Sequence, residues 1–204
     1  MLSSKVIEAV ISYCKINGYQ LFTNRGQRNI FYIEGMNTDG QLNDDRLNQF
    51  NDVRFVLDHQ FKLLGNWSAT TEPGRWYTQN PMNPKGAARA AFGQYTAWSV
   101  GVHGNSEPHE ALVQVRPISV WRDRNKDGFR NNDKSDTGLF GINQHWGYDL
   151  PLTDIGKASA GCLVGRTRQG HREFMAIVKS DVRFRSDRNF VFTSTIIPGD
   201  KLKL

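Results

Sequence analysis

Apolar positions recur at three- and four-residue spacing at the start of the chain and at two-residue spacing through most of the remainder. Over residues 2–17, Val6, Ile7, Val10, Ile11 and Cys14 share one helical face. Ser3 or Ser4 supplies a cap, and Gly18 follows the last turn. Cys14 therefore reads as a packed thiol on the buried stripe. Strand-like runs follow at 19–22, 29–33 and 52–57, with a polar stretch and an Asp39-Gly40 turn between the last two. Residues 66–86, rich in Gly, Pro, Asn and Trp, read as a structured loop flanking a short strand. The small residues of 85–92 read as a short helix. Alternation returns at 95–102, 111–115 and 118–121, and a short apolar run at 139–143 precedes His145. Residues 168–180 suit a helix with Phe174, Met175, Ile177 and Val178 inward, and 190–197 a closing strand ended by Pro198-Gly199. The sum is a mostly β, α+β chain with two or three helices. Residues 1–65 are expected to form an N-terminal helix and strands, either separate or part of the same domain, and 66–204 the main domain, which carries the candidate catalytic residues.

A chain of 204 residues can build a self-sufficient core. With 38% hydrophobic and 23% charged residues it is not a disordered tail. The net charge of +6 suits polyanionic surroundings. The cations are scattered, however, and the densest group, Arg183, Arg185 and Arg188, is interleaved with Asp187. No nucleic-acid module is recognisable, so no nucleic-acid partner is expected. Glu8 interrupts the N-terminal apolar stretch and no A-x-A-like site follows, so no signal peptide is expected. No apolar run approaches the ~18 residues needed to span a bilayer. The expectation is a chain made as a soluble cytosolic protein, reaching any outside substrate by another route. Cys14 and Cys162 are the only cysteines, which is no disulfide framework.

Candidate chemistry concentrates in Gly141-Ile142-Asn143-Gln144-His145-Trp146-Gly147 and in Gly156-Lys157-Ala158-Ser159-Ala160-Gly161-Cys162. A thiol becomes a nucleophile when a base makes the thiolate available, and a histidine can then protonate the leaving amine. Small residues beside the cysteine let backbone N–H groups approach a substrate carbonyl as oxyanion donors.

These segments resemble the catalytic signature of the L,D-transpeptidases, the YkuD-type family. His145 precedes Cys162 by 17 positions, Ser159-x-Gly161-Cys162 falls in register, and Gly147 and Gly156 also suit the pattern. Thr71-Glu72-Pro73-Gly74 is similar to a strand entry upstream in that family. The resemblance implies a β-sandwich with a few helices and cysteine acyl transfer on peptidoglycan stem peptides, with no cofactor. In it Cys162 is the nucleophile, His145 the general base and acid, and the N–H groups of Gly161 and Cys162 the oxyanion donors. Ser159 supports the site. Outside the pattern, Arg166 is a candidate substitute clamp for a substrate carboxylate, and Trp146 and Tyr148, flanking the base, are candidate substrate contacts as an aromatic cleft wall. Two positions depart from the pattern: Ala160 stands where a second His is usual, and Val164 where an Arg is common. A peptidoglycan peptide hydrolase on the same scaffold and a non-catalytic wall-binding module are therefore the alternatives.

Two metal arrangements are also spelled out. Asp123, Asn125 and Asp127, followed by Gly128, resemble the start of an EF-type calcium loop, although position 12 is Lys134. His103, His109, Glu110, His145 and Asp149 could supply zinc ligands, but no H-E-x-x-H is present. A polar turn and cleft or solvated histidines are the expected readings.

Overall fold

The structure, a computed structural model, describes residues 1–204. In chain order the elements are α1 (Ser4–Ile16), β1 (Asn29–Glu34), β2 (Asp52–Leu57), β3 (Leu63–Thr70), α2 (Arg75–Gln79), β4 (Ala87–Ala90), β5 (Gly93–His103) and β6 (His109–Gln114). There follow β7 (Ile118–Asp123), β8 (Lys134–Gly138), β9 (Gln144–Trp146), β10 (Leu163–Gly165), α3 (Arg168–Lys179), α4 (Val182–Ser186) and β11 (Phe192–Pro198). Eight strands close into a barrel in the order β1-β11-β5-β6-β9-β10-β3-β2, and β4-β7-β8 form a separate sheet. The mostly β, α+β class stands. The strands close a ring beside a small sheet, where two facing open sheets had been expected.

The burial of β1 explains its unbroken apolar run. Ile30 and Tyr32 join the main core with Trp98, Leu112, Leu163 and Phe174, while Phe31 and Ile33 face the opposite way with Val53, Phe55 and the α1 residues Val6, Val10 and Cys14. Both faces of the strand are covered, so alternation between apolar and polar disappears. Ser3 caps α1, its Oγ accepting from the Val6 N–H, and Gly18 adopts φ +68° just beyond the last turn. Thr167 caps α3 in the same way through the Gly170 N–H. No helix is long and apolar enough to cross a membrane.

Three local expectations change. Residues 85–92 form no helix: Ala87–Ala90 is β4, paired antiparallel with Val120 to Asp123. Gly86 turns the chain into that strand at φ +108°, where a Cβ would lie 2.2 Å from the Asp123 carbonyl oxygen. Tertiary pairing thus overrides the helix propensity of alanine. Residues 19–22 form no strand, because side-chain amides satisfy their backbone. Gln94 bonds both the N–H and the carbonyl of Gln20, and Asn29 does the same for Phe22. Finally, β3 is longer than the short strand expected, and the position between residues 65 and 66 falls inside it. Since β3 pairs with both β2 and β10, the first 65 residues contribute strands to the ring that carries the candidate site.

Candidate active site

β9 and β10 are parallel neighbours, with Val164 opposite His145. Cys162 lies just before β10 and so beside Asn143, whose carbonyl accepts from the Leu163 N–H at 3.0 Å. Its Sγ accepts from the Asn143 N–H at 3.4 Å and donates to the Gly141 carbonyl at 3.4 Å. No hydrogen bond joins Cys162 to His145. Both nevertheless line one cleft of about 840 Å³ with His103, Tyr148, Arg122 and Lys157.

The hydrogen bonds fix the histidine tautomers. His145 Nδ1 lies 2.8 Å from the Trp146 carbonyl, an acceptor only, so Nδ1 carries the proton and Nε2 keeps its lone pair. Asn143 Oδ1 accepts from the Gln114 N–H, so its Nδ2 donates to His103 Nδ1 at 3.0 Å and the neutral His103 is protonated on Nε2. The His103 ring stacks on His145 with centroids 3.8 Å apart. Burial, then the neighbouring His103, holds His145 well below the usual histidine range. Burial likewise lowers His103 to about 4. Burial pushes the Cys162 thiol up to about 11, opposed by the Asn143 N–H. The resting pair is therefore a neutral thiol and a neutral imidazole.

The cysteine loop is held from beneath. Ser159 Oγ donates to the Cys162 carbonyl at 2.9 Å and accepts from the Gly161 N–H at 3.1 Å. Gly161 has φ +122°, and a Cβ there would stand 2.3 Å from the Ala88 carbonyl oxygen. Gly74 donates its N–H to the Ser159 carbonyl, and a Cβ on Gly74 would lie 2.2 Å from the Gly156 carbonyl oxygen. Three segments thus meet at distances that only glycine allows.

Beyond β4 lies a buried ionic network. Arg89 Nη2 approaches Glu72 at 2.6 Å and Glu34 at 3.6 Å, and Arg130 grips Glu34 at 2.6 Å. Asp45 is within 3.8 Å of Arg89, and Asp52 accepts from the N–H groups of Gly35 and Thr71. Three carboxylates meet two guanidinium groups, and Asp52 adds a fourth buried carboxyl with no guanidinium contact, an excess of acid that favours protonated forms. Burial, then neighbouring carboxylates, pushes Asp45 up to about 6 and Asp52 well above its ordinary range, and burial pushes Glu72 up to about 8. Glu34 alone is lowered: burial opposes ionisation, but Arg130 and Arg89 outweigh it. Thr71 Oγ1 is 2.7 Å from Glu34 and 2.9 Å from Asp52, and its one hydrogen cannot serve both. A protonated Asp52 donating to Thr71 resolves the conflict.

The expected site residues divide. Cys162, His145, Ser159, Gly161 and Tyr148 gather at or directly beneath the cleft. Arg166 does not: its Nη1 donates to the Leu150 carbonyl, and it borders a different hollow with Trp67 and Thr167. Trp146 is turned away by strand alternation and stacks on His109 at 3.7 Å. The Gly161 N–H is already bonded to Ser159, which leaves the Cys162 N–H, without a hydrogen-bond partner, as the backbone donor. The calcium-like loop satisfies itself: Asp123 accepts from the N–H groups of Asp127 and Gly128, and Asn125 donates to Asp127. Of the zinc candidates, His109 Nδ1 donates to the Glu107 carbonyl, Glu110 pairs with Lys179 and Asp149 with Arg168. No group of three His, Cys, Asp or Glu side chains is arranged to hold a metal. Sequence reasoning missed Asn143, Arg122 and Lys157. Asn143 was readable, two residues before His145 and so on the same strand face. Lys157, five residues before Cys162, was readable too, whereas Arg122 reaches the cleft only through the tertiary fold.

Compared with family models, curated proteins and solved structures, the chain matches none.

Proposed function

We propose that the chain is a cysteine acyl-transfer enzyme acting on peptidoglycan stem peptides in the manner of the L,D-transpeptidases. The supporting observation is that Cys162, at the entry to β10, and an imidazole with a free Nε2 lone pair on the neighbouring β9 share one cleft. The resemblance of residues 141–162 to the L,D-transpeptidase signature supplies the substrate class. In the reaction Cys162 Sγ leaves the Gly141 carbonyl and attacks a peptide carbonyl carbon as His145 Nε2 takes the thiol proton. Proton transfer in the resting enzyme is uphill, so it accompanies attack. The Cys162 N–H donates to the developing oxyanion. His145 returns the proton to the leaving amine, a thioester remains, and an acceptor amine or water releases the acyl group.

Incubation with sacculus-derived stem peptides and an acceptor amine, followed by mass spectrometry, tests this. Cross-linked product lost in Cys162→Ala and His145→Ala is expected. Released peptide alone identifies a hydrolase. Unchanged peptides with cosedimentation on sacculi identify a wall-binding module and refute acyl transfer.

A further inference from the structure

The residues lining the Cys162 cleft include Arg122 and Lys157 but no aspartate or glutamate. Arg122 is 5% exposed, and its Nη2 meets no hydrogen-bond acceptor. The group is held in place by its other contacts. Its Nε bonds Asp136 at 3.2 Å, its Nη1 lies 3.5 Å from the Gly86 carbonyl, and its guanidinium carbon stands 4.3 Å over the Phe140 ring. Asp136 also carries Lys85 at 3.3 Å, so one carboxylate serves two cations. Lys157 forms no salt bridge and rests over the Trp76 ring at 4.0 Å. Asp136 is thus shared between two cations and Lys157 has no carboxylate partner, so the cleft wall carries a net positive charge. Only Nη2, buried beneath the cleft wall, is left without an acceptor, and a carboxylate is the charge-assisted partner that would satisfy it.

We propose that the cleft selects ligands bearing a carboxylate, with Arg122 as the specificity-determining residue and Lys157 as a second cation at the mouth. On the acyl-transfer reading above, which this inference extends, that ligand is the acyl donor, and the carboxylate is one that remains beside the reacting peptide bond. Arg122 takes the role first assigned to Arg166. It does so from β7. The exposed apolar residues Val102, Leu139 and Met82 complete the cleft, so a carboxylate on an otherwise aliphatic chain fits better than a polyanion.

Alkylation of Cys162 by iodoacetate and iodoacetamide tests charge selection without any turnover. The two reagents are near in size and differ in charge. The readout is the ratio of their rate constants at Cys162 divided by the same ratio for glutathione, so changes in thiol reactivity cancel. In the intact protein the normalised ratio should exceed one by roughly fivefold or more at low salt, and fall as salt screens the cations. It should drop towards one in Arg122→Gln and part of the way in Lys157→Gln. The exposed Lys157 variant keeps the test open if Arg122→Gln fails to fold. A ratio near one in the wild type, or a raised ratio that neither variant lowers, overturns the proposal. A raised, Arg122-dependent ratio with no product from stem peptides leaves anion selection standing and removes acyl transfer.

Discussion

The environment of the two thiols gives a graded prediction for their alkylation. Burial pushes Cys162 up to about 11 and Cys14 up to about 12. At pH 8 about one Cys162 in a thousand is then ionised, against roughly one in four for an unperturbed thiol near 8.5. On thiolate fraction alone, iodoacetamide should modify Cys162 roughly 200-fold more slowly than a free thiol, yet about tenfold faster than Cys14. Access widens the second gap, since Cys14 is 0% exposed within the α1 interface while Cys162 lines the cleft. Between pH 7 and 10 the Cys162 rate should rise about tenfold per pH unit. Because the resting thiol bonds Gly141 and Asn143 and not His145, His145→Ala should change this rate by less than about threefold. The same variant should lower acyl transfer by ~10²–10⁴-fold. Peptide mapping by mass spectrometry after timed labelling of the native protein measures both sites in one experiment. A rate plateau below pH 8, lost in His145→Ala, would show a preformed thiolate–imidazolium pair and refute the neutral resting state. Equal labelling of Cys14 and Cys162 would refute placement of Cys162 in an accessible cleft.

Gly161→Ala should cost about 2–5 kcal/mol, adding backbone strain at φ +122° to overpacking against Ala88. An unchanged urea midpoint would contradict it. Ser159→Ala leaves the Gly161 N–H without its acceptor and the Cys162 carbonyl without its donor, a loss of about 2 kcal/mol. Turnover should fall with it, and a fully active variant would separate the loop from the chemistry. Asp45, Asp52 and Glu72 are raised above the unfolded carboxylate range, so the folded chain binds the extra protons. The Asp45 and Glu72 contributions are full below about pH 4 and are lost as pH rises through about 6 and about 8, and that of Asp52 is lost in the same direction. The melting temperature should therefore fall from pH 5 to pH 9, and Glu72→Gln should flatten that fall. A melting temperature that rises over the window would reverse the sign. Arg166→Ala should leave the anion preference of Cys162 alkylation intact, as Arg166 borders another hollow; a lost preference would restore it as the clamp.

The elements readable in the sequence are those whose burial is set locally. The α1 stripe, the α3 face and the apolar runs of β1, β2 and β11 follow from spacing, since each buries the face that its periodicity offers. The alanine run of β4 could not be read this way. Its conformation is decided by β7, whose partner residues lie 30 to 36 positions downstream, and by the need to hold Arg89 in the ionic network. The site divides along the same line. Cys162, Ser159 and Gly161 form a local turn and were visible as a motif. The anion clamp was sought at Arg166 by proximity in sequence, whereas tertiary packing brings Arg122 to the cleft from another sheet.

This division also separates what packing requires of the motif from what chemistry requires. Gly161 would be needed without any catalysis, because Ala88 leaves no room for a Cβ, and Gly74 is bound to Gly156 by the same constraint. Ser159 closes the turn through two backbone bonds whatever the thiol does. The glycine and serine before Cys162 are thus explained by the loop and argue little for an enzyme. His145 is different. The Trp146 carbonyl fixes its proton on Nδ1 and leaves the lone pair on Nε2, and the ring, stacked by His103, lines the same cleft as the thiol. Acyl transfer as proposed needs that nitrogen as its base. Replacing His145 by Gln keeps a donor for the Trp146 carbonyl but offers no titratable base. His145→Gln should therefore retain the fold, measured by its melting temperature, while losing acyl transfer as completely as His145→Ala. Full activity in His145→Gln would leave the cleft without its base and return the motif to a packing role.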